Sequence, residues 1–379
     1  MKITFLLLTL LFALRLPTAQ ALDLPTAPPP QLQASAWLLE DLSSGQVLAE
    51  HNDDRRVEPA SLTKLMTAYL VFTALHQGEI KLSDTLTPST HAWKTGGSRM
   101  FIEPNKPVSV DDLLHGMIIQ SGNDATVALA ERVGGSETDF VTMMNKAAQQ
   151  LGMLHTHFVT ATGLPDPQHY TTALDLEKVS AAIIREFPQF MPMFSIREYR
   201  YNNINQANRN RLLWSDPSVD GMKTGHTESA GYCLIASAHR GDRRLLSVVV
   251  GAPTDAMRAA ESQRLLNYGF QFFDGVRLYR ANQPITSLKV WKGKAAQVNV
   301  GFTHDIQLSV PHGRSKDLKV GITTHQPLLA PLSIGESVGS LTVSLDNQVL
   351  AQYPLQALDN VPVASTLGRL WDSLMLKFK

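Results

Sequence analysis

A chain of 379 residues, 44% hydrophobic and 18% charged, is too apolar for a disordered protein and long enough for two or three domains. Lys+Arg and Asp+Glu balance at 34 each, so no global charge recruits a nucleic-acid partner. The single cysteine, Cys233, excludes an internal disulfide framework and a cysteine metal site, and reads as a small buried side chain.

Lys2 precedes an apolar run over residues 3–14, and Ala19-Gln20-Ala21 supplies the small residues that signal peptidase needs. Residues 1–21 therefore read as a cleaved secretory signal. The run is too short to span a bilayer, and Arg15 interrupts it. The mature protein is expected outside the cytoplasm, beginning with a proline-rich leader at 22–34. Residues 36–40 and 46–50 flank Ser43-Ser44-Gly45 and predict a β-hairpin. From Pro59 to about Phe194 apolar residues recur three and four apart, as in Leu62, Leu65, Met66 and Tyr69, which predicts a mostly helical stretch. Strand character returns at 232–238 and 245–250, and a helix follows over 257–273. Strands at both ends of a helical insertion predict an α/β domain over residues 35–278.

Beyond it, residues 285–291, 297–300, 306–310, 318–323, 339–345 and 349–353 alternate apolar and polar side chains between turn formers. This predicts a separate all-β sandwich over 279–358. It holds no tight cluster of nucleophile, base and carboxylate, so a spacer or interaction role is expected. In the tail, 362–379, Leu367, Leu370, Trp371, Leu374, Met375 and Phe378 share one face of a helix. Such a face either docks on the protein itself or lies in a membrane interface. The tryptophan and the terminal lysines favour the membrane.

Three short motifs appear in order: Ser61-Leu62-Thr63-Lys64, Ser121-Gly122-Asn123 and Lys223-Thr224-Gly225. A Ser-x-x-Lys alone occurs by chance about once in a chain this long. The set of three, each in a fitting context, is another matter. Pro59 suits the opening of a helix, where Ser61 and Lys64 share a face and the amine can reach the hydroxyl. A hydroxyl needs an adjacent base, and a lysine serves only if desolvation or a second cation lowers its pKa. Lys223 could be that cation. Ser121 and Asn123 sit on a break between two helical runs, suited to proton relay and to hydrogen bonding of a substrate amide. Lys223, Thr224 and Gly225 on an edge strand can hold a carboxylate while a substrate backbone pairs alongside.

With these motifs the chain resembles the low-molecular-mass penicillin-binding proteins, D-alanyl-D-alanine carboxypeptidases of the penicillin-binding protein 5/6 type. The stretches 97–101, 120–125, 206–210 and 220–227, the all-β module and the amphipathic tail are similar too. The resemblance implies a β-lactamase-like α/β catalytic domain and removal of the terminal D-alanine from peptidoglycan pentapeptides through an acyl-enzyme. β-Lactams are implied as covalent inhibitors, with no metal and no cofactor. It implies Ser61 as nucleophile, Lys64 as base and Ser121 as proton donor to the departing D-alanine. Asn123 would bind the substrate amide, and Lys223, Thr224 and Arg258 the terminal carboxylate. Gly225 belongs to the same binding strand. The oxyanion would sit between the backbone N–H groups of Ser61 and His226, worth about 3–4 kcal/mol per donor. No catalytic role falls to Thr162, where some relatives carry histidine. The expected location is the periplasmic side of the inner membrane.

A β-lactamase is the less favoured reading, because the region between Asn123 and Lys223 has no Glu-x-x-Leu-Asn segment to activate water. A DD-endopeptidase typically lacks the carboxy-terminal module and anchor. A non-catalytic peptidoglycan-binding scaffold would have lost at least one of Ser61, Lys64, Ser121, Asn123 or Lys223.

Overall fold

The structure, a computed structural model, describes residues 27–378. The signal sequence expected at 1–21 and the start of the leader lie outside them. The rest of the leader is strapped to the long helix Asp255–Phe272: Tyr268 donates to the Ala27 carbonyl, and Gln33 and Ala34 donate to the Glu261 carboxylate.

The α/β domain is organised by a five-stranded antiparallel sheet. The hairpin Ala36–Asp41/Gln46–His51 forms one edge and pairs with Arg243–Ala252. That strand pairs with Gly231–Arg240, which pairs with the other edge, Val219–Thr227. Both faces are covered, so the central strands read as nearly continuous apolar runs rather than strict alternation. Leu38, Ile235, Val248 and Val250 face the helical insertion, whereas Trp37, Leu39, Leu234 and Val249 pack on Leu265 and Leu266 of the helix Asp255–Phe272. The helical insertion holds Lys64–His76, Val110–Ile119, Asn123–Gly134, Glu137–Gln150 and Ala173–Glu186. Ser109, Ser136 and Thr172 cap three of these by accepting a backbone N–H, each cap worth about 1 kcal/mol.

The second unit is all-β. A six-stranded sheet runs in the order Lys319–Thr324, Ser337–Leu345, Gln348–Ala357, Gln297–Gly301, Thr286–Trp291 and Leu328–Leu329. Beside it Phe273–Tyr279 pairs with Ile306–Pro311. Val298, Val300, Leu308, Val310, Leu341, Val343 and Leu355 form its core. The two units are clasped through Ser309, which donates its hydroxyl to Asp41 (2.6 Å) and its N–H to Gln46 Oε1 (2.6 Å); Arg243 Nε completes the Asp41 site at 2.5 Å. Thr366–Met375 forms the tail helix, capped by Ser365. Its polar side meets the β unit, where Asp372 accepts from the Lys292 N–H at 2.5 Å. Leu367, Leu370, Trp371, Leu374 and Met375 remain exposed.

Candidate active site

Ser61 does not stand inside an α-helix. It lies in a 3-10 turn, Ala60–Thr63, and Lys64 is the first residue of the α-helix Lys64–His76. Ala60, just before it, has φ +47°, a left-handed conformation that costs a non-glycine residue about 1–2 kcal/mol. The turn still brings the two residues together: Lys64 Nζ is 3.0 Å from Ser61 Oγ and donates to the Thr162 carbonyl at 2.7 Å. Lys64 is only 1% exposed. Burial, aided by the Arg209 guanidinium and opposed by Asp124, lowers its pKa to about 7. A neutral amine there can donate to Thr162 and still offer its lone pair to the Ser61 proton.

Lys223 is buried as well and donates to the Thr224 carbonyl at 3.1 Å. Burial first, then the Lys64, Arg209 and Arg258 charges, hold its pKa well below the usual lysine range. Arg209 acts on both lysines, and Lys64 and Lys223 lie close enough for each to disfavour a proton on the other.

Ser121 occupies the break between Val110–Ile119 and Asn123–Gly134, with φ +64°. Its Oγ and Asn123 Oδ1 are buried without a protein partner. Leaving such groups without a partner costs about 1–3 kcal/mol each, a cost that hydrogen bonds from a ligand would offset. Asn123 Nδ2 donates to the Gly96 carbonyl and its N–H to Ser98, while the fully buried Asp124 accepts the N–H groups of Met100, Phe101 and Ile102. The second motif thereby fixes the 96–102 loop beside the site.

The edge strand Val219–Thr227 closes the cleft. A Cβ on Gly225 would stand 3.1 Å from the Pro59 carbonyl and 3.2 Å from Leu62 Cγ, so glycine lets this strand lie against the nucleophile turn. Thr224 is buried, and His226 is exposed with its ring stacked on Tyr232 at 4.0 Å. Arg258, on the helix Asp255–Phe272, is buried behind the strand. It donates to the Gly225 carbonyl at 3.1 Å and pairs with Asp255. Direct contacts thus join the nucleophile turn, the edge strand at Gly225 and Arg258, and the second motif acts on Lys64 through the Asp124 charge.

Arg209 lies in the 206–210 stretch that carries the resemblance but had no role assigned from sequence, and His169 was not singled out at all. Arg209 lies between Asn208 and Asn210, which are buried and satisfy the Ile196 and Gly221 carbonyls at 3.0 Å each. An arginine flanked by two loop-tying asparagines was the available signal. His169 has no motif around it and reaches the turn only through the fold, donating to Thr63 from the far side of the 157–170 loop.

Comparison with known proteins agrees with this geometry. Residues 24–254 match the family model described as D-alanyl-D-alanine carboxypeptidase, and residues 273–363 match the penicillin-binding protein 5 C-terminal domain. The D-alanyl-D-alanine carboxypeptidase DacC of Escherichia coli is 44% identical over 370 residues, covering 96% of this chain and 92% of the relative. The crystal structure of penicillin binding protein 5 from Haemophilus influenzae superposes with a TM-score of 0.85 at 41% identity, covering 89% of this chain and 99% of that one. Penicillin-binding protein D2 of Listeria monocytogenes, in its ampicillin-bound form, has a TM-score of 0.60 at 33% identity, covering 65% and 100%.

Proposed function

The chain belongs to the D-alanyl-D-alanine carboxypeptidases of the penicillin-binding protein 5/6 type, and from that premise we propose how its residues divide the work. It is a serine-type carboxypeptidase acting on D-Ala-D-Ala termini; the endopeptidase, lactamase and scaffold readings give way to this one. In the proposed reaction, neutral Lys64 takes the Ser61 proton as Oγ attacks the penultimate carbonyl. The oxyanion forms between the backbone N–H groups of Ser61 and His226. Ser121 hands a proton to the departing D-alanine amine and regains one from the Lys64 ammonium, the C–N bond breaks, and an ester remains on Ser61. Water then adds to the ester and releases the shortened peptide. Asn123 holds the substrate amide. Lys223, Thr224 and Arg258 face the terminal carboxylate, with Arg209 adding positive potential, along the strand that Gly225 brings close.

The observation that carries this reading is the buried Lys64 amine 3.0 Å from Ser61 Oγ. β-Lactams, whose strained amide presents the same carbonyl, should acylate Ser61 too. The test uses a peptide ending in D-Ala-D-Ala and penicillin against wild type and Ser61→Ala. Wild type should release D-alanine and gain the mass of one penicillin, and the variant should do neither. A penicillin adduct retained by Ser61→Ala contradicts the assignment.

We further propose that the mature protein lies on the periplasmic side of the inner membrane, held peripherally by the tail. The exposed row Leu367, Leu370, Trp371, Leu374 and Met375 supports this. Among the described residues no helix is long and apolar enough to cross a membrane, so the contact would be interfacial. The sequence-expected boundary at 278/279 falls inside the strand Phe273–Tyr279, which pairs with Ile306–Pro311, so 35–272 is proposed as the catalytic domain and 273–358 as its β spacer.

A further inference from the structure

His169 is buried, 2% exposed, and every polar atom of its ring is spoken for. Nδ1 accepts from the Val159 N–H at 3.1 Å and, more weakly, the Thr160 N–H at 3.4 Å. Backbone N–H groups cannot reverse that bond, so the one proton of the neutral ring resides on Nε2. Nε2 therefore donates to Thr63 Oγ1 at 2.9 Å, leaving the Thr63 hydroxyl to donate to the Ala60 carbonyl at 2.8 Å. A continuous chain of hydrogen bonds thus runs from the 159–160 backbone through the ring and Thr63 to the strained residue that precedes Ser61.

The two ends of that chain are the two partners of Lys64. The turn Ala60–Thr63 carries Ser61, and the loop anchored on His169 carries the Thr162 carbonyl. The same loop presses on the same turn at Gly163, where a Cβ would fall 1.8 Å from the Ala60 carbonyl oxygen. We propose that neutral His169 is a positioning residue for acylation: through Thr63 it holds Ser61 and the Thr162 carbonyl on the two sides of the Lys64 amine. A protonated ring would turn an N–H toward the two backbone donors and break the chain. Burial, reinforced by His157 and Lys64 and opposed by Asp166, lowers the His169 pKa to about 4, so the ring is neutral in the working range.

This inference rests on the proposed roles of Ser61 and Lys64. Its test is single-turnover acylation by penicillin from pH 6 to 9, for wild type, His169→Leu, His169→Gln and Thr63→Val. Misplacing the pair by about 1 Å should slow acylation on the order of 10–100-fold in His169→Leu and Thr63→Val, with non-covalent penicillin affinity unchanged. The acid limb of the rate should also move to higher pH. A loosened loop rehydrates Lys64, whose other charged neighbours, Arg209, Lys223 and Asp124, are left in place. His169→Gln retains a donor to Thr63 and should recover the rate to within about 5-fold. Wild-type rates and an unmoved limb in both Thr63→Val and His169→Leu, with only a lower Tm, would overturn the proposal. So would His169→Gln as slow as His169→Leu. Should His169→Leu fail to fold, Thr63→Val decides alone. D-alanine release by wild type is scored separately, so failure of the functional reading is distinguishable from failure of this one.

Discussion

The active-site cleft and the tail helix depart from the usual partition of polar and apolar groups in opposite directions. The cleft buries two lysines, Lys64 and Lys223, at 1% and 3% exposure, and among the described residues neither has a carboxylate ion-pair partner. The tail exposes Leu367 at 79% and Trp371 at 65%, while the β unit beside it buries a continuous apolar core and leaves only scattered residues such as Val320 and Ile322 exposed. Buried charge is costly because water is lost, and exposed hydrocarbon because water must be ordered around it. The comparison teaches that each local cost marks a place where something outside the chain completes the structure: a substrate in the cleft and, on our proposal, a lipid surface at the tail.

The largest effect should come from removing one side of this comparison. Lys64→Met deletes the proposed base, and acylation should fall on the order of 10³-fold or more. The same variant should be more stable than wild type at pH 7. Folded Lys64 titrates near 7, whereas an unfolded lysine titrates near 10.5, so between these values the unfolded chain holds a proton that the native state does not. Wild-type stability therefore rises with pH across that window, and the burial penalty is fully felt at pH 7 and below. Thermal melts should show a higher Tm for Lys64→Met at pH 7, with the gap closing toward pH 10. A variant no more stable than wild type at pH 7 would mean that the buried lysine carries no such cost.

At the other end, Leu370→Asp with Trp371→Asp should cut binding to anionic vesicles by about 100-fold or more, since each buried side chain is worth about 2 kcal/mol. D-alanine release in solution should be unchanged, because the tail lies on the β unit and not at the cleft. Undiminished co-sedimentation of the double variant would break the membrane half of the comparison.

A smaller effect sharpens the first half. Glu177 is buried beside Glu40, and burial together with their shared hydrogen bond raises the Glu177 pKa. The native state holds this proton and the unfolded chain releases it above about 4.5, so this pair loses stability as pH rises. Glu177→Gln keeps a donor to Glu40 without a proton to lose. It should be more stable than wild type by about 1–2 kcal/mol at pH 9 and should leave activity unchanged. Denaturant melts at pH 6 and pH 9 check the sign, and equal pH dependence in both proteins would contradict it.

Much of the fold was legible because local pattern and tertiary environment agree. The hairpin at 36–51, the strand alternation of 286–311 and the helix Asp255–Phe272 lie within a few residues of where periodicity placed them. Phe273–Tyr279 was missed as a strand, since Gly275 weakens its pattern and it follows a helix without a turn signal. At the site, the three motifs pointed to the proposed nucleophile, base and binding strand because each keeps its chemistry within four consecutive residues. Arg209 and His169 act across long loops, and only packing brings them to Lys64. That Ser61 sits in a 3-10 turn rather than an α-helix was equally hidden. It follows from the left-handed Ala60 and its contacts with Thr63 and Gly163, which no local spacing encodes.

The central claim is that burial turns Lys64 into a base beside Ser61. The most direct test is the rate of penicillin acylation of Ser61, followed by mass from pH 5 to 10. The rate should rise through a single ionisation near pH 7 and then level off. A rate still climbing tenfold per unit toward pH 10, as for an ordinary solvated lysine, would contradict it.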